Sequence, residues 1–348
     1  MLDRYLEDLE RRIDLDVEGE LEAQWRAFTD GNFSGDIFSP RRAKIAPPSV
    51  EWPDVPVNDA LESQELMALQ QLAACSKALE EGSGALLNVR ANYGTAILPS
   101  VFGAELYIME RSLNTLPTTR PLPNPSAAVQ RLIERGIPDL NQGYGARTLA
   151  MGRYFRERFS AYPKIARTVR IYHPDTQGPM DVCELLWGSS LFLAILDEPE
   201  LVKGLLELVT QTYIRFMEAW DAVAPLPRGY AVHWATMHKG TIMLRDDSAM
   251  NLSPAVFYEF VEPYDQRLLD HFGGGAVHFC GRGDHWIHRL PEMRGVHAVN
   301  LSQPELNDME IIYRYTVDRG IKLIWFQRWA AEEAVRQGRD LHGCVHCA

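Results

Sequence analysis

Apolar residues form two kinds of pattern along the chain, and the two patterns alternate from about residue 85 onward. Segments with apolar residues three and four apart have the spacing of amphipathic helices. Between them lie short runs rich in β-branched and aromatic residues, which are typical of buried parallel strands. The predicted strands are residues 85–91, 168–173, 230–234, 241–245, 276–280, 296–301 and 322–326. The alternation predicts a parallel sheet covered by helices.

Seven predicted strands need only one more to complete a (β/α)8 barrel. The alternative, an open doubly wound sheet, usually carries a glycine-rich phosphate loop after a strand, and none is present. We therefore predict an α/β protein with a (β/α)8 TIM barrel. A helix to about residue 30, a Gly- and Pro-rich passage over 31–59 and a helix over 61–82 precede the first strand. Residues 1–80 are predicted to form an N-terminal helical arm and connecting segment, and residues 81–348 the barrel.

One helix boundary can be predicted from residue types alone. Ser253 is a favourable N-cap, and Pro254 suits the first helical position because its missing N–H has no partner there in any case. A helix is therefore expected to begin at Pro254.

Composition and charge exclude several classes of function. The 348 residues include 35 basic and 47 acidic side chains, and a formal net charge of −12 would repel nucleic acid. No run reaches the roughly 20 apolar residues of a membrane span, and the charged N-terminus lacks the order of a signal peptide. Five cysteines are too few for a disulfide scaffold in a chain of this length. We expect a cytoplasmic protein that acts on a small molecule and binds neither nucleic acid nor membrane.

The sharpest chemical signal is a histidine and a cysteine two residues apart at the end of a predicted strand. His278 and Cys280 point to the same face of that strand, and barrel active sites lie at the carboxyl ends of strands. The C-terminal passage HGCVHCA adds Cys344 and Cys347. Thiolates and imidazoles from two distant segments suit zinc. For the pair alone, a half-buried histidine beside a packed cysteine is the alternative interpretation.

Polar side chains follow several other predicted strands, where a barrel active site would lie. Carboxylates there can act as a general acid and base or orient a histidine, although turns and helix caps use the same residue types. The predicted catalytic residues are Asp175, Asp247 and Tyr93. The predicted substrate-binding residues are Asn92, His173, Gln177, Trp234, Arg245 and Gln327.

Four passages together resemble the uroporphyrinogen decarboxylase (URO-D) superfamily. They are HPDTQGP (173–179), LWGSSLFLAILDEPELVKGLLELVT (186–210), RDDSAMNLSPAVFYEFVEPYDQRLL (245–269) and VHFCGRGD (277–284). The likeness covers roughly residues 85–340. The resemblance implies a (β/α)8 barrel and one of two activities. One is haem-pathway decarboxylation, and the other is zinc-dependent transfer of methyl groups between corrinoid proteins and thiols or other acceptors.

The resemblance is greater to the methyltransferase branch. Decarboxylases of the superfamily carry an N-terminal arginine-rich motif that binds substrate carboxylates, whereas the corresponding region here has Arg41 and Arg42 without that motif. Several substrate carboxylates without cationic partners would be costly to desolvate. The resemblance therefore implies a zinc-dependent methyltransferase.

The same resemblance implies a ligand set and a partner. His278 and Cys280 match the family's H-x-C zinc pair, and Cys344 matches its third ligand, with Cys347 a close rival. It implies directly bound Zn²⁺, a corrinoid carried by a partner protein as the methyl carrier, and a small-molecule donor or acceptor. Barrels of this kind often form homodimers.

Two alternatives stay open at this point. The first is a metal-independent decarboxylase or other lyase of the same fold. Its polar catalytic groups would be Asp175, Asp246, Asp247 and Tyr93. The second is a non-catalytic relative that binds a ligand in the barrel mouth, because a fold alone does not determine a function.

Overall fold

Helices and short strands alternate over most of the computed structural model, which describes all residues from Met1 to Ala348. The α-helices are α1 (Asp3–Arg12), α2 (Leu15–Thr29), α3 (Val57–Glu62), α4 (Gln64–Glu81), α5 (Ile97–Val101), α6 (Pro125–Arg135), α7 (Gly143–Ser160), α8 (Pro163–Thr168), α9 (Pro179–Trp187), α10 (Leu191–Asp197), α11 (Pro199–Val223), α12 (Pro254–Phe260), α13 (Glu262–Phe272), α14 (Met309–Tyr315) and α15 (Arg328–Arg336). The 3-10 helices are Gly94–Ala96, Arg111–Leu113, Asp247–Asn251, Ile287–Glu292, Pro304–Leu306 and Val317–Arg319. The strands are β1 (Ile37–Phe38), β2 (Asn88–Val89), β3 (Leu106–Tyr107), β4 (Thr118–Thr119), β5 (Arg170–Ile171), β6 (Tyr230–His233), β7 (Thr236–Lys239), β8 (Ile242–Arg245), β9 (Gly275–Phe279), β10 (Val296–Leu301), β11 (Lys322–Leu323) and β12 (Val345–His346).

The main sheet has six parallel strands in the order β1-β12-β11-β10-β9-β8. Strands β2 and β5 form a separate parallel pair. No ladder joins β5 to β8 or β1 to β2, although the N–H of Gly178 donates to the carbonyl of Arg245 at 2.8 Å across the first of these gaps. The parallel α/β architecture predicted from the sequence is confirmed. The ladders do not show a complete (β/α)8 barrel.

The predicted strand 230–234 is not a member of the parallel sheet, so that part of the prediction is wrong. Strand β6 pairs antiparallel with β7, and the two turn residues, Trp234 and Ala235, have φ values of 47° and 63°. Two-residue hairpin turns require this left-handed conformation and usually place Asn, Asp or Gly there, so these residue types carry no hairpin signal. Val232 and Met237 pack with inward-facing residues of the main sheet. The hairpin therefore crosses the space that the strands surround.

The N-terminal segment contributes a strand as well as helices. Strand β1 lies in the passage predicted to be only a connection, and Phe38 pairs with His346 of β12. Two helices replace the single predicted helix over the first 30 residues, and Asp14 caps the second by accepting from the N–H of Asp16. The division of the chain at residue 80 stays a prediction.

Two buried clusters hold the layers together. The larger, of 81 residues, lies mainly between helices and strands. The smaller, of 11 residues, lies inside the strands, where Trp25 and Phe28 of α2 pack on Phe38. The ammonium of Lys322, at the start of β11, is 5.0 Å from the centroid of the Phe28 ring. Helix α2 therefore covers the amino ends of the strands, and the carboxyl ends are left for a site.

Two further predictions can be compared with the helices. Helix α12 begins as predicted, because Pro254 is its first residue and Ser253 accepts from the N–H of Val256 at 3.3 Å. No single helix is long and apolar enough to span a membrane, and α9 and α10, which pass that test only together, meet at an angle of 101°.

Asp8 ties α1 to the connecting segment. Its buried carboxylate accepts hydrogen bonds from Arg12, from the N–H and hydroxyl of Ser49 and from the indole of Trp52. Burial would raise the pKa of Asp8, but these hydrogen bonds lower it from 3.8 to about 2. The contribution of Asp8 to the unfolding free energy is therefore complete above about pH 4 and is lost as the pH falls toward about 2.

We accordingly expect Asp8→Asn to lower the unfolding free energy at neutral pH and to flatten its decrease in acid, measured by urea unfolding at a series of pH values. Asp54→Asn, in the exposed part of the same segment, is the control and should follow wild type. An Asp8→Asn profile parallel to that of wild type would contradict this role.

Candidate active site

Asp247, His278 and Cys280 lie together at the carboxyl ends of β8 and β9, and one ligand atom from each lies within 4.8 Å of the others. Nε2 of His278 is 3.5 Å from Oδ1 of Asp247 and 3.5 Å from Sγ of Cys280. Zinc binds all three of these donor types, and catalytic zinc sites use three protein ligands. The cluster therefore fits a zinc ion by its chemistry.

The tautomer of His278 is determined by a neighbouring strand. Asn300 of β10 lies opposite His278 in the strand register. Its side-chain carbonyl accepts from Nδ1 of His278 at 2.6 Å, while its amide donates to the carbonyl of Ile324 at 2.8 Å. Burial lowers the pKa of His278, so the ring is neutral and Nε2 keeps its lone pair toward Asp247 and Cys280. Metal-binding histidines are commonly oriented by such a partner.

Cys280 and Asp247 are held against each other by a backbone hydrogen bond. The N–H of Cys280 donates to Oδ1 of Asp247 at 2.7 Å. Burial, and then the negative charge of Asp247, raises the pKa of Cys280 to about 11. A cation between them would relieve both the burial of charge and the repulsion, because a coordinating thiol is deprotonated.

Asp181 of α9 holds the turn that carries Asp247. Its carboxylate accepts from the N–H groups of Asp247 at 3.0 Å and Ser248 at 2.8 Å. Neither Asp181 nor Asn300 was predicted as a site residue. Asn300 could have been found, because it is a polar residue near the end of an otherwise apolar strand. Asp181 lies inside an apolar helical segment, and no comparable signal marks it.

Arg245 lies beside the cluster and brings a positive charge to it. It is opposite His278 in the register of β8 and β9, and its side chain is 1% exposed. Its guanidinium carbon lies 5.0 Å from the centroid of the Trp234 ring. Nη2 of Arg245 has no hydrogen-bond partner. Arg245 can therefore bind a negatively charged group next to the cluster.

Asp175, predicted to be catalytic, is paired with two arginines. Its carboxylate is 2.8 Å from Nε of Arg245 and 3.4 Å from Nη1 of Arg90, and it accepts from the amide of Gln177 at 2.5 Å. Burial would raise the pKa of Asp175, but the two guanidinium groups and the amide lower it. Asp175 is therefore an ionised residue that positions Arg245. Its contacts do not indicate a general acid or base. Arg90 was not predicted.

Trp234 forms a wall between the cluster and a cavity. Its ring centroid is 4.9 Å from that of His278 and 6.5 Å from that of Trp325, which is 46% exposed. Both tryptophans line a cavity of about 640 Å³, together with Arg41 and Arg328. No member of the cluster lines this cavity, and its aromatic walls make it a candidate site for an apolar part of the substrate, separated from the cluster by Trp234.

The structure does not bring the two C-terminal cysteines to the cluster, so the predicted ligand set is corrected on this point. Cys344 precedes β12, at the amino end of that strand, and its Sγ lies 3.4 Å from Nζ of Lys322. Cys347 follows β12 but is buried in the cluster between helices and sheet, because alternate strand residues point to opposite faces. His346, between them, faces the interior and packs on Trp25. The third potential donor beside His278 and Cys280 is Asp247.

The remaining predicted residues are not brought to the cluster. Tyr93 is buried with its ring 4.9 Å from that of Tyr144, and burial raises its pKa. His173 uses both ring nitrogens, since Nδ1 donates to the carbonyl of Pro174 and Nε2 accepts from a backbone N–H. Asn92 accepts from Nε of Arg90 at 2.8 Å. Gln327 is exposed at the start of α15.

No protein-family model matches the chain, and no curated protein matches it. The structure is similar to a solved structure described as a methyltransferase from Methanosarcina mazei, with a TM-score of 0.64 over 94% of this chain and 93% of that chain. The chain therefore shares the overall fold of that structure. Sequence identity is 18%, so the likeness concerns the fold alone, and the URO-D resemblance stays a prediction.

Proposed function

We propose that this protein is a zinc-dependent methyltransferase, in which Asp247, His278 and Cys280 hold the ion. The observation that carries the proposal is the geometry of His278, whose Nε2 is directed by Asn300 to within 3.5 Å of both a carboxylate oxygen and a thiol sulfur. When bound, zinc supplies a Lewis acid that lowers the pKa of a thiol acceptor and makes its thiolate available at neutral pH.

The neighbouring residues would bind and orient the substrate. Arg245 places a positive charge with an unpaired Nη2 beside the cluster, where a thiolate or another anionic group of the acceptor would lie. Trp234 and Trp325 would provide an aromatic surface for an apolar part of the substrate. Asp175 keeps Arg245 in place and is a positioning residue.

The methyl donor in this proposal is a methylated corrinoid carried by a partner protein, in line with the resemblance of the sequence. The acceptor sulfur forms the new bond to the methyl carbon as the carbon–cobalt bond breaks, the electron pair stays on cobalt, and the thiol proton passes to solvent. Transfer in the reverse direction, from a methylated small molecule to the corrinoid, would use the same residues.

The test is an anaerobic assay of methyl transfer from free methylcobalamin to a small thiol, followed by the loss of the methylcobalamin absorbance. We expect the zinc-loaded protein to be at least about a hundredfold faster than the metal-free protein and than Cys280→Ser, because Lewis-acid catalysis contributes several kcal/mol. Cys75→Ala, on α4 away from the cluster, is the matched control and should keep the wild-type rate.

Other results would select an alternative function. Equal rates with and without zinc would contradict the proposal. Metal-independent release of carbon dioxide from a carboxylated substrate would indicate a lyase, and binding of the substrate without turnover would indicate a ligand-binding relative.

A further inference from the structure

A second cavity, of about 490 Å³, lies away from the candidate metal centre. It opens beside β5 and the base of the β6–β7 hairpin, where no ladder joins β5 to β8. The cluster of Asp247, His278 and Cys280 lies at the carboxyl ends of β8 and β9. This cavity is lined by Arg170, the first residue of β5, and by Val169 before it, so it lies at the amino end of that strand. Its floor is apolar and includes Phe159, Val232 and Met237.

Positive charge dominates the rim of this cavity. Four arginines line it, and the single carboxylate, Glu22, is shared by two of them, Arg26 at 2.7 Å and Arg170 at 2.8 Å. The other two, Arg156 and Arg228, are exposed, and neither forms a salt bridge or a hydrogen bond. The lining therefore carries a formal charge of +3 in a chain whose net charge is −12.

The excess of positive charge around this cavity attracts an anion. Four guanidinium groups share a single carboxylate there, and the potentials of like charges that line one cleft add together. Guanidinium groups match phosphate and carboxylate oxygens with two parallel hydrogen bonds. A phosphate monoester brings nearly two negative charges in one group, which suits two arginines that have no partner.

We propose that this cavity is a binding site for an organic phosphate, with the phosphate between Arg156 and Arg228 and the apolar body of the ligand on Val232 and Met237. The volume is within the range of small-molecule sites. The site does not depend on the proposed methyl transfer, so either can fail without the other.

Titration calorimetry with 1-naphthyl phosphate, an apolar body with one phosphate, tests the site. We expect wild type to bind it and the double variant Arg156→Gln/Arg228→Gln to bind about a hundredfold more weakly, at about tenfold for each lost charge-assisted contact. Arg153→Gln is the matched control, because Arg153 is exposed on the same helix and does not line the cavity. Unchanged urea midpoints would show that all variants are folded.

Two further ligands separate the contributions of charge and apolar surface. 1-Naphthol lacks the charge and inorganic phosphate lacks the apolar body, so each should bind more weakly than 1-naphthyl phosphate. Binding of the phosphate ester should also weaken with added salt. Equal binding by wild type and the double variant, a wild-type dissociation constant above about 1 mM, or tighter binding of a naphthalene dicarboxylate would each overturn the proposal.

Discussion

Cys280→Ala is expected to bind zinc at least about a hundredfold more weakly than wild type, because changes in residues that only orient a ligand already cost about 10–100-fold. The variant removes the only thiol of the cluster that it forms with His278 and Asp247. The measurement is a competition titration with a chromogenic chelator at neutral pH. Cys344→Ala and Cys347→Ala are matched controls and should bind zinc as wild type does, since neither residue joins the cluster.

Two further variants should show smaller losses of zinc affinity. Asp247→Asn should weaken zinc binding because the charged oxygen donor is lost, and Asn300→Ala should weaken it about 10–100-fold because His278 loses the partner of its Nδ1. Loss of zinc in Cys344→Ala with retention in Asp247→Asn would contradict the structural ligand set and restore the one implied by the sequence resemblance.

Asp175→Ala is expected to lower the unfolding free energy at neutral pH by about 3–5 kcal/mol, because it leaves a buried guanidinium without its counter-charge. Arg245 is 1% exposed and Arg90 11% exposed, so water cannot replace the carboxylate well. Urea unfolding measures the change. Asp270→Ala removes the partner of exposed Arg294 and, as the control, should change stability by no more than about 1 kcal/mol.

The carboxylate of Asp175 also predicts how the unfolding free energy depends on pH and how a second substitution changes the stability of an Asp175 variant. The folded-state pKa of Asp175 is lowered, so its contribution is complete above the unfolded pKa and is lost as the pH falls through the folded value. Asp175→Leu/Arg245→Met should recover only part of the lost stability, because the two closest charges are removed together while Arg90 keeps its charge and loses its carboxylate partner. If Asp175→Ala were as stable as Asp270→Ala, the buried ion pair would have no structural role.

Local spacing in the sequence was sufficient for part of the fold and part of the site. The helix start at Ser253 depends on residues within one turn, and the predicted strands over 241–245, 276–280 and 296–301 correspond to β8, β9 and β10. His278 and Cys280 lie together because residues two apart in a strand share a face, a consequence of backbone geometry alone. Each of these features involves neighbours in the chain.

Features that depend on strand register could not be predicted in this way. Asp247 lies next to His278, and Asn300 determines the tautomer of His278. Both contacts exist because β8, β9 and β10 pair in one particular register, which the periodicity of the sequence does not specify. Cys347 has a suitable position at the end of a strand but points away from the interior, since a shift of one residue reverses the face of a side chain.

The sequence by itself determined the alternation of strands and helices and the H-x-C pair at the end of β9, because both follow from short-range periodicity. Only the tertiary structure decided the third neighbour of that pair and the path of the β6–β7 hairpin. The hairpin turns at Trp234 and Ala235, whose positive φ values oppose their local preference and are held by packing inside the sheet. At this turn, contacts between distant segments outweigh the local propensity of the two residues, and such contacts cannot be predicted from the local sequence pattern.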